Sequence, residues 1–297
     1  MRYPTAIGIR LILPMLFKNQ YYYFVSGLPD FSFDSTKLPF TVQEFRFLLE
    51  EELKPADKKL LNVYFFSYDN QNLIELLINK DAELKSSGTL MRDEIMQFIH
   101  DVSHENNQPS KNIPPYYIEF IQRWLSEENP NGGQFWEDLM SSLYMDYGRE
   151  VKNSLISRWF ELNLNIGNIF SAIYARKYKM DVASVIVGNN KIARTIRENA
   201  NVRDFGISQE LEYFDTLQRL SEEVDIYERE RKVDKFRWDW LEENIVFDYF
   251  DIEYIFAYLC KLQILERWVS LNAEEGERVF RQLIERLKNE IKIPEDN

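Results

Sequence analysis

One cysteine and two histidines in 297 residues leave little material for a metal site, and Cys260 has no partner for an internal disulfide. Cys260 lies in an apolar run, so it reads as a buried thiol in a reducing compartment. Glycine and proline, ten of each, are too few for a many-turned β-sandwich and favour long helices. No segment approaches the roughly 20 continuous apolar residues that a membrane span requires. The apolar stretch from Ile7 to Phe17 is broken by Gly8, Arg10 and Pro14, and no small-residue cleavage site follows it. Residues 1–20 therefore read as a poorly ordered extension. A Gly-x-x-x-x-Gly-Lys-Ser/Thr pattern is also missing, which argues against ATP binding through a P-loop. Positive charge is short too: the net charge of −13 repels phosphate backbones and anionic headgroups.

What the chain has in abundance is apolar and aromatic surface, 45% and 15% of residues, enough for sizeable cores. Phe40, Thr41, Glu44 and Phe45 form a capping-box and staple pattern that starts a helix. Pro55 suits the first turn of a second helix through Phe66, and a third begins at Asp69 and runs to Asn79. Residues 103–115, rich in Ser, Asn and Pro, read as a linker, and residues 129–133 as a second break. Further helical stripes run through Leu139, Leu143 and Tyr147, then Leu155, Ile156, Trp159 and Phe160. Others follow through Val233, Phe236 and Trp240, and through Val279, Phe280, Leu283, Leu287 and Ile291. Glu274–Arg278 and Glu277–Arg281 are supporting i,i+4 pairs. Strand signals are thin, with residues 21–25 the one stretch that could be extended.

A weak repeat is visible. Asp69, Asn72 and Leu73 can be laid over Asn165, Asn168 and Ile169, and a degraded third copy begins at Asp251, where Tyr254 replaces the asparagine. The competing explanation is that an Asx residue before an apolar pattern is simply a helix cap.

The candidate chemistry is sparse. His100 and His104 share a helix face at zinc-ligand spacing, with Asp101 where a zinc protease carries its base. They border a polar linker without a declared third ligand, so a solvated helix end is preferred to a metal hydrolase. Glu222–Glu223 and Glu242–Glu243 are adjacent in sequence and do not share a face. Arg229, Arg231 and Lys232 alternate with acids, while Arg176, Lys177 and Lys179 close a helix and could also meet an acidic partner. Trp136, Tyr144 and Tyr147 suit either core or interface. No catalytic, cofactor-binding or metal-binding residue is assigned.

Residues 159–169, with Asn165, Asn168 and Ile169, continuing to Arg176 and Met180, resemble the hallmark of the C-type (d-type) central-stalk family of V/A-type rotary ATPases. Residues 258–268 are similar to that family's C-terminal helix, although Gln263 stands where an acidic residue is common. Residues 21–30, 68–73, 181–188, 203–206 and 280–284 resemble the signatures of an uncharacterised bacterial family associated with V/A-type ATPases. The resemblance implies an all-α chain of three related helical subdomains, 21–108, 109–206 and 207–297, in a funnel-like or elongated arrangement. It further implies a non-catalytic central-stalk component coupling the shaft to the proteolipid ring, without cofactors and peripheral at the cytoplasmic face of the membrane. Its expected partners are the shaft subunits and the ring, with no nucleic acid. The rival expectation is a helical scaffold or assembly factor for the same ATPase.

Overall fold

A computed structural model describes residues 19–104, 112–126, 133–271 and 283–284. Among the described residues it contains eleven α-helices and one 3-10 turn, with no strand, so the chain is all-α as expected. None of these helices is long and apolar enough to cross a membrane. The expected extension at 1–20 (save residues 19 and 20), most of both linkers, and nearly all of the stripe from Val279 to Ile291 with its two ion pairs lie outside the described residues.

The helices are α1 (Tyr22–Ser26), α2 (Val42–Glu52), α3 (Pro55–Ile78), α4 (Arg92–Ser103), α5 (Tyr116–Ser126) and α6 (Gly133–Arg149). Then come α7 (Ser154–Lys177), the 3-10 turn (Ala183–Val185), α8 (Lys191–Glu198), α9 (Phe214–Ser221), α10 (Ile226–Asn244) and α11 (Ile252–Ser270). The chain folds as two compact units, one made of residues 1–57 with 224–297, the other of residues 58–223. Described residues 19–57 thus pack in one unit with described residues 224–271.

In the first unit α11 is buried nearly all round, through Ile255, Phe256, Leu259, Leu262 and Leu265. That is the pattern of a central helix and explains its continuous apolar run. Cys260 is buried on it, and burial pushes its thiol pKa well up. Phe45 of α2, fully buried, stacks near Phe24 of α1 and lies 5.0 Å from the Tyr258 ring. Thr41 caps α2 as expected: its hydroxyl accepts the Glu44 N–H at 3.1 Å, and the Glu44 carboxylate accepts the Thr41 N–H at 2.7 Å. The Phe40 and Phe45 rings form the staple, 6.2 Å apart. Residues 21–25 belong to a helix start rather than a strand, since the Val25 N–H already returns to the Tyr21 carbonyl.

Helix α10 buries Val233, Asp234, Trp238 and Leu241, a face rotated from the expected one, and Phe236 and Trp240 are half-buried. The rotation follows from Asp234. Its carboxylate receives Arg237 at 2.8 Å, the Trp268 indole N–H at 2.9 Å and the Arg267 guanidinium, which together compensate its burial. A cluster of Phe33, Trp238, Ile264, Leu265 and Trp268 closes over this network.

In the second unit α3 is one continuous helix where two were expected. Ser67, Asp69 and Asn70 look like a break, but Ser67 bonds back to the Tyr64 carbonyl and both Asx residues find tertiary partners. Helices α3 to α6 share a core of Leu73, Leu76, Ile95, Phe98, Tyr117, Phe120, Trp136 and Met140. Trp136 is buried, and Tyr144 and Tyr147 pack against the same cluster, so these aromatics are core. Helix α7 carries the second stripe, with Ile156, Phe160, Ile169 and Ala172 buried against its neighbours.

Candidate functional site

The most distinctive feature of the second unit is a pair of turns, each pinned by amide or carboxylate side chains of the preceding long helix. Asx side chains are poor helix formers, so their position inside α3 and α7, far from any cap, requires tertiary compensation. The turn after α3 supplies it. Asn72 makes a two-way bond with Lys85: its Oδ1 accepts the Lys85 N–H at 2.8 Å, and its Nδ2 donates to the Lys85 carbonyl at 3.1 Å. One turn earlier on the helix, the fully buried Asp69 carboxylate accepts the Thr89 N–H at 2.9 Å, the Thr89 hydroxyl at 2.7 Å and the Leu90 N–H at 3.0 Å.

The turn after α7 repeats this. Asn168 Oδ1 accepts the Val187 N–H at 2.8 Å, and its Nδ2 donates to the Val187 carbonyl at 2.8 Å. Asn165, one turn earlier, accepts the Asn190 amide at 2.8 Å and donates to the Tyr213 hydroxyl at 3.2 Å. Asn190 in turn caps α8 by accepting the Ala193 N–H. Each turn is also tied from the other side by an arginine of the next helix. Arg92 donates to the carbonyls of Lys80 and Ala82, and Arg197 to those of Ile186 and Gly188. Both arginines thus bridge carbonyls two residues apart, which fixes the turn's shape with charge-assisted bonds.

A glycine fits each turn against the helix. At Gly88 an added Cβ would fall 2.4 Å from Asp69 Oδ1 and 2.9 Å from Asn72 Nδ2. Gly188 has φ +75° and a Cβ there would meet Leu164 at 3.0 Å. Both turns are thus held by an asparagine clamp, an arginine and a glycine, but at different places: Arg92 bonds carbonyls ahead of Lys85, whereas Arg197 bonds carbonyls on either side of Val187. The third copy does not share this arrangement. Asp251 stands at the start of α11 and its side chain accepts the Tyr254 N–H, so there the helix-cap explanation holds.

A cleft of about 500 Å3 opens beside the first turn, lined by Asn70, Gln71, Glu75 and Lys85 with Glu137, Ser141 and Tyr144 of α6. Its floor is fixed, since Asn70 accepts the Tyr116 hydroxyl at 2.7 Å and Asn72 holds the Lys85 backbone. The lining mixes carboxylate, amide, hydroxyl and lysine side chains.

The residues singled out in the sequence fall as follows. His100 and His104 stack at 4.2 Å on the exposed end of α4, where His104 Nδ1 lies 2.8 Å from the His100 carbonyl. Asp101 is 3.7 Å from His100. Among the described residues the group of carboxylates or imidazoles close enough to share a cation is Asp248, Asp251 and Glu253, within 4.8 Å of one another, and it includes neither histidine. Arg176 bonds within its own chain. It donates to the carbonyls of Ala200, Val202 and Arg203 and lies over the Phe205 ring at 3.8 Å. Lys177, Tyr178, Lys179 and Met180 form the exposed tip beyond it. Arg231 pairs with Asp34 at 2.6 Å, while Glu242 receives Lys261 at 3.1 Å. Sequence reasoning missed Lys85, Thr89, Arg92 and Arg197, whose roles rest largely on backbone atoms and leave no pattern of residue types. Gly88 and Gly188 were the available signal, each shortly before a helix start.

The chain belongs to the family described as "Protein of unknown function (DUF2764)", whose model matches residues 18–291. No curated protein and no solved structure matches it.

Proposed function

We propose that this chain is a non-catalytic central-stalk component of a V/A-type rotary ATPase, similar in role to the C-type (d-type) stalk proteins, coupling the shaft to the proteolipid ring at the cytoplasmic face of the membrane. The observation that carries the reading is the duplicated clamp. The Asn165–Asn168–Ile169 segment on which the resemblance rests lies at its second copy, and the helices there are locked to their turns by reciprocal backbone bonds. A part that transmits torque needs such stiffness, because a turn that yields under load dissipates work. The all-helical architecture and the scarcity of histidine and cysteine are in keeping with a role based on shape and docking. Partners are the shaft subunits and the ring, and no cofactor is invoked.

Affinity purification of the intact ATPase through its headpiece, followed by quantitative mass spectrometry, tests this. The reading predicts the chain in fixed stoichiometry with the shaft subunits. Its absence from every form of the complex overturns the proposal, and its presence in partly assembled complexes alone assigns it instead to the scaffold or assembly role.

A further inference from the structure

We propose that the cleft between α3 and α6 binds a free amino acid with a cationic side chain. The inference stands independently of the rotary-ATPase reading. The cleft's volume of about 500 Å3 lies within the roughly 300–1,000 Å3 of small-molecule sites. Each wall is one helix face. On α3 the lining residues Ser67, Asn70, Gln71, Ile74 and Glu75 recur at the three- and four-residue spacing of a single stripe. On α6 Glu137, Met140, Ser141 and Tyr144 do the same. Where two helices face each other, such stripes are ordinarily apolar and close the gap. Here Ile74 and Met140 are the apolar members, and the gap stays open. The walls are tied together, since the Tyr144 hydroxyl donates to the Tyr64 carbonyl at 3.2 Å. Lys85 stands in the turn that Asn72 clamps to α3, so its side chain starts from a fixed backbone.

The groups left without partners identify the ligand. Asn70 is 5% exposed, and its Oδ1 accepts the Tyr116 hydroxyl. Its Nδ2 makes no hydrogen bond among the described residues, which leaves a buried donor facing the cleft. Glu75, Glu137 and Lys85 line the same space as exposed side chains, and among the described residues none of them makes an ion pair. Two carboxylates, one on each wall, call for two cationic groups. One lysine and a spare amide donor call for one anionic group. The excess of negative charge disfavours phosphate-bearing ligands. A polyamine suits the carboxylates but meets Lys85 with like charge, and a neutral amino acid leaves one carboxylate unmatched. A basic amino acid matches every group. Its two cations go to Glu75 and Glu137, and its carboxylate goes to Lys85 and the Asn70 amide. Walls already tied in place lower the ordering cost of binding.

The test is calorimetric titration of the full chain with L-arginine and L-lysine, beside their decarboxylated twins agmatine and cadaverine, and L-glutamate. At least one basic amino acid is expected to saturate a single site, with its twin about tenfold weaker and L-glutamate not bound. Glu137→Gln is expected to weaken that amino acid about tenfold. Lys85→Met is expected to weaken it by a similar factor while sparing the twin, a split that misfolding does not produce. Both side chains are exposed, and Lys85 serves the clamp through its backbone alone, so circular dichroism of the variants should match the parent. The proposal is overturned if neither basic amino acid saturates below about 1 mM, in which case water alone fills the cleft. It is equally overturned if L-glutamate binds as tightly, or if both variants bind the basic amino acid like the parent.

Discussion

In the turn after α3 the inner pinning residue is a carboxylate, Asp69, whereas the corresponding place before the turn after α7 holds an amide, Asn165. The outer residues, Asn72 and Asn168, are identical and make the same two-way backbone bond. A carboxylate only accepts, so the first turn folds inward to bring three donors to Asp69, from the backbone and hydroxyl of Thr89 and the backbone of Leu90. An amide both accepts and donates, so the second turn is tied through Asn190 to the cap of α8 and through Tyr213 to the segment before α9. The same helix device thus closes a turn on itself in one place and knits neighbouring elements together in the other.

Removing the inner residues should break the comparison most sharply. Asp69→Ala orphans three donors, two of them backbone or hydroxyl groups of one residue, and is expected to cost about 3 kcal/mol in urea unfolding. Asn165→Ala loses one acceptor and one donor and should cost about 2 kcal/mol, with loosening that spreads to α8 and α9 in amide exchange. The outer residues should behave alike: Asn72→Ala and Asn168→Ala are each expected to lose about 2 kcal/mol, and a large disparity would refute equivalence of the two turns. The glycines come next. Gly88→Ala drives a methyl group into Asp69 and Asn72 and should cost about 1.5 kcal/mol. Gly188→Ala, strained by its positive φ but facing a leucine side chain that can shift, should cost about 1 kcal/mol.

The smallest effect belongs to the first unit and serves as a contrast. The Thr41 N–H and hydroxyl hold the Glu44 carboxyl below its ordinary value. A depressed carboxyl contributes stability above its unfolded pKa, here about 4.5, and that contribution is lost as pH falls through the lower folded value. Acid titration of Glu44→Gln should therefore converge on the parent at low pH. Exchange at Lys85 and Val187 should be unchanged throughout.

Much of this was legible in the residues, and the reason differs by element. The capping box at Thr41 and Glu44 and the staple of Phe40 and Phe45 were visible because local chemistry decides them. The likeness of Asn72 and Asn168 was visible because an amide inside an apolar stripe stands out, and the two make the same kind of backbone bond. What was not legible depends on distant partners. Ser67, Asp69 and Asn70 resemble a helix break until Thr89, Leu90 and Tyr116 are in place to receive them. Asp234 reads as a surface acid until Arg267 and Trp268 arrive from α11, and its burial turns α10 away from the face its aromatics suggest. The packing of residues 19–57 with residues 224–271 is a long-range fact of the same kind, carried by contacts such as the Val42 N–H on the Glu266 carboxylate.

Native-state hydrogen exchange at the two outer clamps, the amides of Lys85 and Val187, tests the core of the account. If both turns are rigid copies of one device, both amides exchange only through global opening of the second unit, with matching denaturant dependence. Exchange of either amide through a small local fluctuation, insensitive to denaturant, would show that its turn yields on its own and would contradict the stiffness on which the proposed coupling role depends.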